Sequence, residues 1–379
     1  MLVKVAIPKQ IQFKIVPNLP EMLFGGQQEI HDINPDLVLL CGGTDGGNKE
    51  VIIANAKRLV AIDRPFTTIV AGNKSATDEI RTIFEEAGKD VVITENVMPQ
   101  FNKLNIEPAR DAIRQLFISR IIEAKGLNIL QSMTSYKIIP TPLAVLHACE
   151  LLSKGTKTQQ GRGDLLAVDI GGATTDVYSM ASGEPTVDNT MLKGLPEPWM
   201  KRTVEGDLGM RYSLTHVYEQ IPGADNPENE YMQQVKAWVE LCTARPDTLA
   251  APGSEEEKLE EFLGRSAVSM AVERHCGRIA DVFTPLGLMH TQEGKDLMNV
   301  PSVIGIGGVL RNSRRPEEIL KGSLYDFMHP ECTKPRKPKF YLDQKYIFAS
   351  MGLLRSINPE LAFELLDKET VEIGCNATV

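Results

Sequence analysis

The stretch Asp169-Ile170-Gly171-Gly172-Ala173-Thr174-Thr175 combines residue types that handle phosphate. Glycine has no Cβ and tolerates positive φ, so Gly171 and Gly172 let backbone N–H groups approach an anion, and the hydroxyls of Thr174 and Thr175 add donors. Asp169 carries the wrong sign for that company. A carboxylate beside a phosphate cradle repels its ligand unless a divalent cation or an ordered water stands between them, as in nucleoside triphosphate chemistry. An aspartate capping an ordinary tight turn uses the same residues, so the surroundings must decide. A second glycine-bearing segment, Gly305-Ile306-Gly307-Gly308 followed by Arg311, offers close approach to a flat base or a sugar.

Both motifs sit where an apolar run ends. Leu165–Val168 and Val177–Met180 predict two strands paired across a tight turn, and Ser302–Ile306 predicts a buried strand ending in the diglycine. Earlier in the chain, strand 36–41, helix 48–62, strand 67–71, helix 75–87 and strand 90–94 alternate in the manner of an open parallel sheet. The turn Gly42–Gly47 could itself hold phosphate. Asn48 stands where a Walker lysine belongs and the spacing fails G-x-G-x-x-G, so it reads first as a tight βα turn. A long amphipathic helix is predicted from 107 to 126, with Ile113, Leu116, Phe117, Ile121 and Ile122 as core positions. A proline-marked helix at 140–152 carries Ala144 and Ala148, small enough for close helix approach or simply good helix formers. Beyond the second motif come a helical stretch at 316–324, a strand at 339–343 and a small-residue helix at 345–354.

Composition narrows the function classes. The 379 residues are 42% hydrophobic and 24% charged, which is globular, and the length predicts about two to three domains. A net charge of −9 argues against nucleic acid or an anionic membrane surface as the main partner, because phosphate backbones need a basic footprint. Apolar stretches stay far below the ~20 residues that span a bilayer, and MLVKVAIPKQ lacks a signal-peptide core, so a cytoplasmic location is expected. The six cysteines form no C-x-x-C pair and the six histidines no H-E-x-x-H, leaving buried, reduced thiols as the expectation and no metal-hydrolase site.

The order of segments carries more than any one of them. A small-residue helix, the DIGGATTDV hairpin, a mostly helical insert, VIGIGG and a closing helix follow one another as in the second half of the actin, sugar-kinase and DnaK-type chaperone ATPases. Within that superfamily, CGGTDGGN, VAGNKSATDEI, TENVMPQFNKLNIEPAR, GLPEPWMKRTVEGDLGMRYS and VERHCGRIADVFTPLG resemble one accessory family over nearly the whole chain. That is the MutL (GlmL) family encoded with adenosylcobalamin-dependent glutamate mutase, unrelated to the mismatch-repair protein of the same name. The resemblance implies an α/β, actin-like (ribonuclease H-like) ATPase fold in two lobes. Residues 1–100 would form the α/β part of the first lobe and 101–160 a helical connection. Residues 161–379 would form the second lobe, with its helical insert at about 195–298.

The resemblance also implies roles for residues. Gly171, Gly172, Ala173, Thr174 and Thr175 would hold the β- and γ-phosphates of ATP, and Asp169 would orient Mg²⁺ or the attacking water. Gly305, Gly307 and Gly308 would face the adenosine, with Arg311 stacked on the base, so that 169–175 and 305–311 meet the nucleotide from opposite sides of one cleft. Asp207 would lie near the cleft, and Glu273 and Arg274 on a helix lining the ribose pocket, although surface ion pairs produce the same residue pattern. The superfamily's first phosphate loop, D-x-G-[ST]-x-[ST]-x-x-K, has no match between Met1 and Asp36, so a shortened chain with impaired ATPase activity is expected. The expected function is a chaperone-like reactivating or assembly factor for a cobalamin-dependent glutamate (methylaspartate) mutase, with mutase subunits as partners and self-association as a further expectation. The alternatives are a non-catalytic scaffold with a degenerate nucleotide cleft, and a small-molecule kinase, whose substrate-base aspartate the sequence does not reveal.

Overall fold

The computed structural model describes residues 2–5, 15–16, 25–101, 103–124, 133, 138–194, 197–224, 226–285 and 287–374. The chain divides into two compact units, Met1–Ile138 and Ile139–Val379, and both are mixed α/β.

In the first unit a five-stranded sheet runs in the order β2 (Ile15–Val16), β1 (Leu2–Val5), β3 (Leu37–Leu40), β4 (Thr67–Val70), β5 (Val91–Ile93). Strands β3, β4 and β5 are mutually parallel, and β1 lies antiparallel to β3. Leu37–Leu40 and Thr67–Val70 are nearly unbroken apolar or β-branched runs, the pattern of strands covered on both faces. The helix Glu50–Val60 buries Ile52, Ile53, Ala56 and Leu59, and Thr77–Glu86 buries Ile80 and Phe84, one helical turn apart. The helix Glu107–Ala124 forms as predicted, but Ile113, Leu116 and Phe117 are half-buried and Ala109 is the deeply covered position. A stripe at helical spacing says which side chains share a face, not how deeply that face is covered. The side chains of Ile121 and Ile122 lie outside the described ones.

The second unit is three layers around a six-stranded sheet ordered β14 (Thr370–Ile373), β13 (Lys339–Asp343), β12 (Ser302–Ile306), β6 (Leu165–Ile170), β7 (Thr175–Met180), β9 (Met200–Glu205). Strands β13, β12 and β6 are parallel, whereas β6, β7 and β9 form an antiparallel meander. The strand period of two assigns side chains to the two faces. Leu166, Val168, Ile170 and Val303 face the core under helices Glu230–Ala244 and Glu255–His275. Leu165, Ala167, Met180 and Ile304 face the helices Thr141–Lys154, Phe348–Leu354 and Pro359–Glu369. On that second face a Cβ at Gly352 would fall 1.8 Å from the Ala144 carbonyl oxygen, so the helices Thr141–Lys154 and Phe348–Leu354 cross backbone against backbone.

The insert is helical between Leu214 and His275, but its ends are strands. Strand β9 joins the main sheet, and β10 (Arg278–Thr284), β11 (Gly287–Glu293) and β8 (Thr190–Lys193) form a separate three-stranded sheet. The five described cysteines are free and buried, and Cys375 lies outside the described residues. No described helix is long and apolar enough to cross a membrane.

Candidate functional site

Parallel neighbours end at the same edge, so the β6 and β12 termini meet. The register pairs Ile306 with Asp169, and Gly307, at φ +102°, follows directly. A Cβ at Gly307 would lie 2.4 Å from the Ile170 carbonyl oxygen and 2.8 Å from Asp169 Oδ1, so glycine is required for the two strand ends to touch. The two glycine motifs are therefore shoulder to shoulder on adjacent strands, not on opposite walls of a gap.

The β6–β7 turn is narrower than the sequence suggests: Asp169 and Thr175 belong to the strands, leaving Gly171–Thr174 as the turn, closed by Gly171 N–H to the Thr174 carbonyl at 2.9 Å. Its carbonyls are all engaged. Met210 N–H donates to Gly171 O at 3.0 Å, Arg211 and Tyr212 N–H both donate to Gly172 O at 2.8 Å, and Ser213 Oγ donates to Ala173 O at 3.0 Å. The N–H groups of Gly172, Ala173 and Thr174 have no acceptor among the described residues. A braced turn with successive unpaired N–H groups is a concavity for an anion. Thr175 does not join them: its buried hydroxyl donates to the Leu208 carbonyl at 2.5 Å and so holds the brace.

The electrostatics around Asp169 run the other way. No donor among the described residues reaches its carboxylate, and burial, followed by the charges of Asp176 and Asp343, pushes its pKa up to about 6. Neither neighbour was singled out in the sequence. Asp176 is buried and paired with Arg202 at 2.7 Å, while accepting Thr174 Oγ at 3.2 Å. Asp343 ends β13 and accepts the N–H groups of Ile347 at 3.0 Å and Phe348 at 3.1 Å; burial nevertheless raises its pKa. Three carboxylates thus converge, with the Arg202 guanidinium paired to Asp176 and the Arg311 charge acting on Asp343. The recognisable signal was present: Asp343 ends its strand, and Asp169 stands one residue before the end of β6. Among the described residues no three His, Cys, Asp or Glu side chains are arranged to hold a metal ion by themselves.

The remaining expected site residues divide. Gly308 is exposed beside Gly307, whereas Gly305 is buried, and a Cβ there would meet Leu310 at 2.9 Å and Leu320 at 3.1 Å. Gly305 is a packing glycine that faces the core, not an adenosine. Arg311 donates from Nε to the Gln344 carbonyl at 3.2 Å and lines a cavity of about 520 Å³ with Arg314, Glu317, Lys321 and Leu342. Asp207 and Arg274 are brought together: the guanidinium donates to Asp207 Oδ1 at 2.8 Å and Oδ2 at 2.9 Å and to Glu205 at 2.7 Å. That contact holds the Asp207 carboxyl below its ordinary range. Glu273 is not part of this group; it pairs with Arg278 at 2.9 Å, as adjacent helix positions about 100° apart require.

The other glycine turn, Gly42–Gly47, is built differently. Asn73, buried, accepts Gly46 N–H at 3.1 Å and Ser75 N–H at 2.9 Å and donates to Gly47 O at 2.9 Å and Asn48 O at 3.2 Å. Asn96 donates to Gly43 O at 3.0 Å and to Asp45 at 2.9 Å, and Lys74 N–H donates to Asp45 at 2.9 Å. Those bonds, Lys74's first, hold the Asp45 carboxyl low.

Two comparisons bear on this arrangement. A family model described as MutL protein matches residues 21–370. Protein MutL of Clostridium tetanomorphum is 46% identical over 349 residues, which cover 91% of this chain and 75% of that protein.

Proposed function

The chain belongs to the MutL family of glutamate mutase accessory proteins, and from that premise we propose that it binds a magnesium nucleoside triphosphate at the β6–β7 turn and serves the cobalamin-dependent mutase as an ATP-driven reactivating or assembly factor. One observation carries the nucleotide reading: three unpaired N–H groups at Gly172–Thr174 lie one residue pair away from an unpaired carboxylate at Asp169. An anion alone fits the first and is repelled by the second. A phosphate that brings its own divalent cation satisfies both. The actin-like resemblance of the hairpin and of the GIGG segment supports the same reading.

In this proposal the N–H groups of Gly172, Ala173 and Thr174 hold phosphate oxygens, and Gly171 and Gly307 keep side chains out of the way. Asp169 orients a water, either cation-bound or attacking, and Asp176 with Arg202 fixes Thr174 from behind. Magnesium, when bound with the phosphates, supplies charge neutralisation at the phosphoryl oxygens. The work on the mutase then comes from the difference in ATP affinity between two states of the accessory protein, since a ligand shifts an equilibrium only by its differential binding.

Calorimetric titration with ATP and Mg²⁺, followed by ATP turnover with and without mutase subunits, tests the reading. Saturable binding with mutase-stimulated turnover is expected. Binding without turnover would leave a nucleotide-dependent scaffold, and absence of binding would remove the proposal.

A further inference from the structure

Tyr346 adopts a backbone conformation that tyrosine avoids. Its φ of +57° lies in the left-handed region, where a bulky side chain is an outlier that persists only if its surroundings over-determine it. The surroundings do so: the Asp343 carboxylate accepts Ile347 and Phe348 N–H, Tyr346 N–H bonds the Asp343 carbonyl at 3.3 Å, and Arg311 Nε fastens the Gln344 carbonyl at 3.2 Å. Every one of these bonds would form with glycine at 346, which takes this φ at no steric cost. The packing gains little from the ring, because Tyr346 is 56% exposed. A large aromatic held in a disfavoured conformation and presented to solvent points to a ligand.

Its position says which ligand. Strand β13 is parallel to β12 and β12 to β6, so the 343–347 turn leaves the same edge as Asp169 and Gly307-Gly308. Partial burial, and after it the charges of Asp169 and Asp343, hold the proton on the phenol. The N–H groups at 172–174 already provide for phosphate, and what an exposed, flat, largely apolar ring adds is a surface for another flat ring.

We propose that Tyr346 is a binding residue, the platform on which the base of the bound nucleotide stacks, with Arg311 fastened beside it at Gln344. The inference rests on the nucleotide reading above. Stacking of this kind tolerates different bases, since each has a π face.

The test titrates the protein with Mg²⁺-ATP and, separately, with Mg²⁺-tripolyphosphate, which has no base, using the natural chain, Tyr346→Phe and Tyr346→Gly, with melting temperatures measured alongside. Tyr346→Phe should bind ATP within about two-fold of the natural chain. Tyr346→Gly should bind ATP about ten-fold more weakly, bind tripolyphosphate unchanged and melt at a higher temperature. ATP binding unaffected by Tyr346→Gly would overturn the platform, as would equal weakening of both ligands, or a loss in Tyr346→Phe as large as in Tyr346→Gly. A natural chain that binds neither ligand would overturn the nucleotide reading and the platform with it. Binding of both ligands with no sensitivity to position 346 would remove the platform alone.

Discussion

Two glycine turns, each at the carboxyl end of a parallel strand and each next to an aspartate, differ in what their polar groups lack. At Gly42–Gly47 the N–H groups of Gly42, Gly43 and Thr44 likewise have no acceptor among the described residues, but the amides of Asn73 and Asn96 engage the carbonyls of Gly43 and Gly47, and Asp45 is held by a backbone N–H and an amide. At Gly171–Thr174 the carbonyls are engaged, three N–H groups are open, and Asp169 is pressed toward its neutral form by two other carboxylates. A glycine-rich turn alone therefore does not mark a ligand site. Open N–H groups beside a carboxylate that lacks any donor do, because burial of that carboxylate costs free energy that a cation brought by a ligand returns.

The largest expected effect breaks or sustains that comparison through chemistry. If ATP is turned over, Asp169→Asn should lower the steady-state rate by about a hundred-fold or more, while Asp45→Asn leaves it unchanged. Comparable losses in both would show that the two turns share one role.

Backbone constraint comes next. Gly307→Ala places a methyl against Ile170 O and Asp169 at a φ of +102°, so denaturant unfolding should show a loss of about 3 kcal/mol together with lost nucleotide binding. Gly46→Ala, at a φ of +76° but with open space around it, should cost about 1 kcal/mol and leave binding intact.

A pH series separates the two aspartates by sign. Asp169 ionises near pH 6 in the fold against an ordinary value of 3.8, so its charged form is the less stable one there. Its contribution to stability should fall as pH rises from about 4 to about 6 and stay low above that, a difference of order 3 kcal/mol. Asp169→Asn, which cannot ionise, should therefore match the natural chain below pH 4 and melt higher above pH 6. Asp45, whose pKa is lowered, should behave oppositely, its contribution fading as pH falls through the acid range. A melting-temperature gap for Asp169→Asn that does not change with pH would refute the electrostatic account.

The smallest effect concerns the turn braced by Asn73. Asn73→Ala removes bonds to Gly46, Gly47, Asn48 and Ser75, and unfolding should show a loss of about 1–2 kcal/mol with ATP affinity unchanged.

Much of this was legible in the residues. LLAVDI, SVIGI and KFYLD read as strands because apolar runs of that length broken by Gly or Asp have few other uses, and all three lie in the sheet. The Asp-Ile-Gly-Gly turn was recognisable because its chemistry is local. What escaped was assembly. Asp169, Asp343 and Tyr346 come from segments more than 170 positions apart and meet only because β6, β12 and β13 are parallel neighbours. Gly305 was misassigned because sequence does not say that Leu310 and Leu320 cover its side of the strand, whereas Gly307, just past the strand end, turns toward Asp169. The strands β8, β10 and β11 were missed because their side chains are largely exposed, so no buried face imposes an alternation.

The crossing of Gly352 over Ala144 limits how this sequence can drift. Where side chains meet, one can shrink as the other grows, and paired substitutions keep the spacing. Here the obstacle to any side chain at 352 is a carbonyl oxygen and not the Ala144 methyl, so trimming Ala144 to glycine restores no room. A relative carrying alanine or serine at this position must hold its two helices farther apart. That wider spacing would shift the layer supporting β12 and β6, making the identity of one residue in that layer an indicator of whether another chain presents its strand ends as this one does.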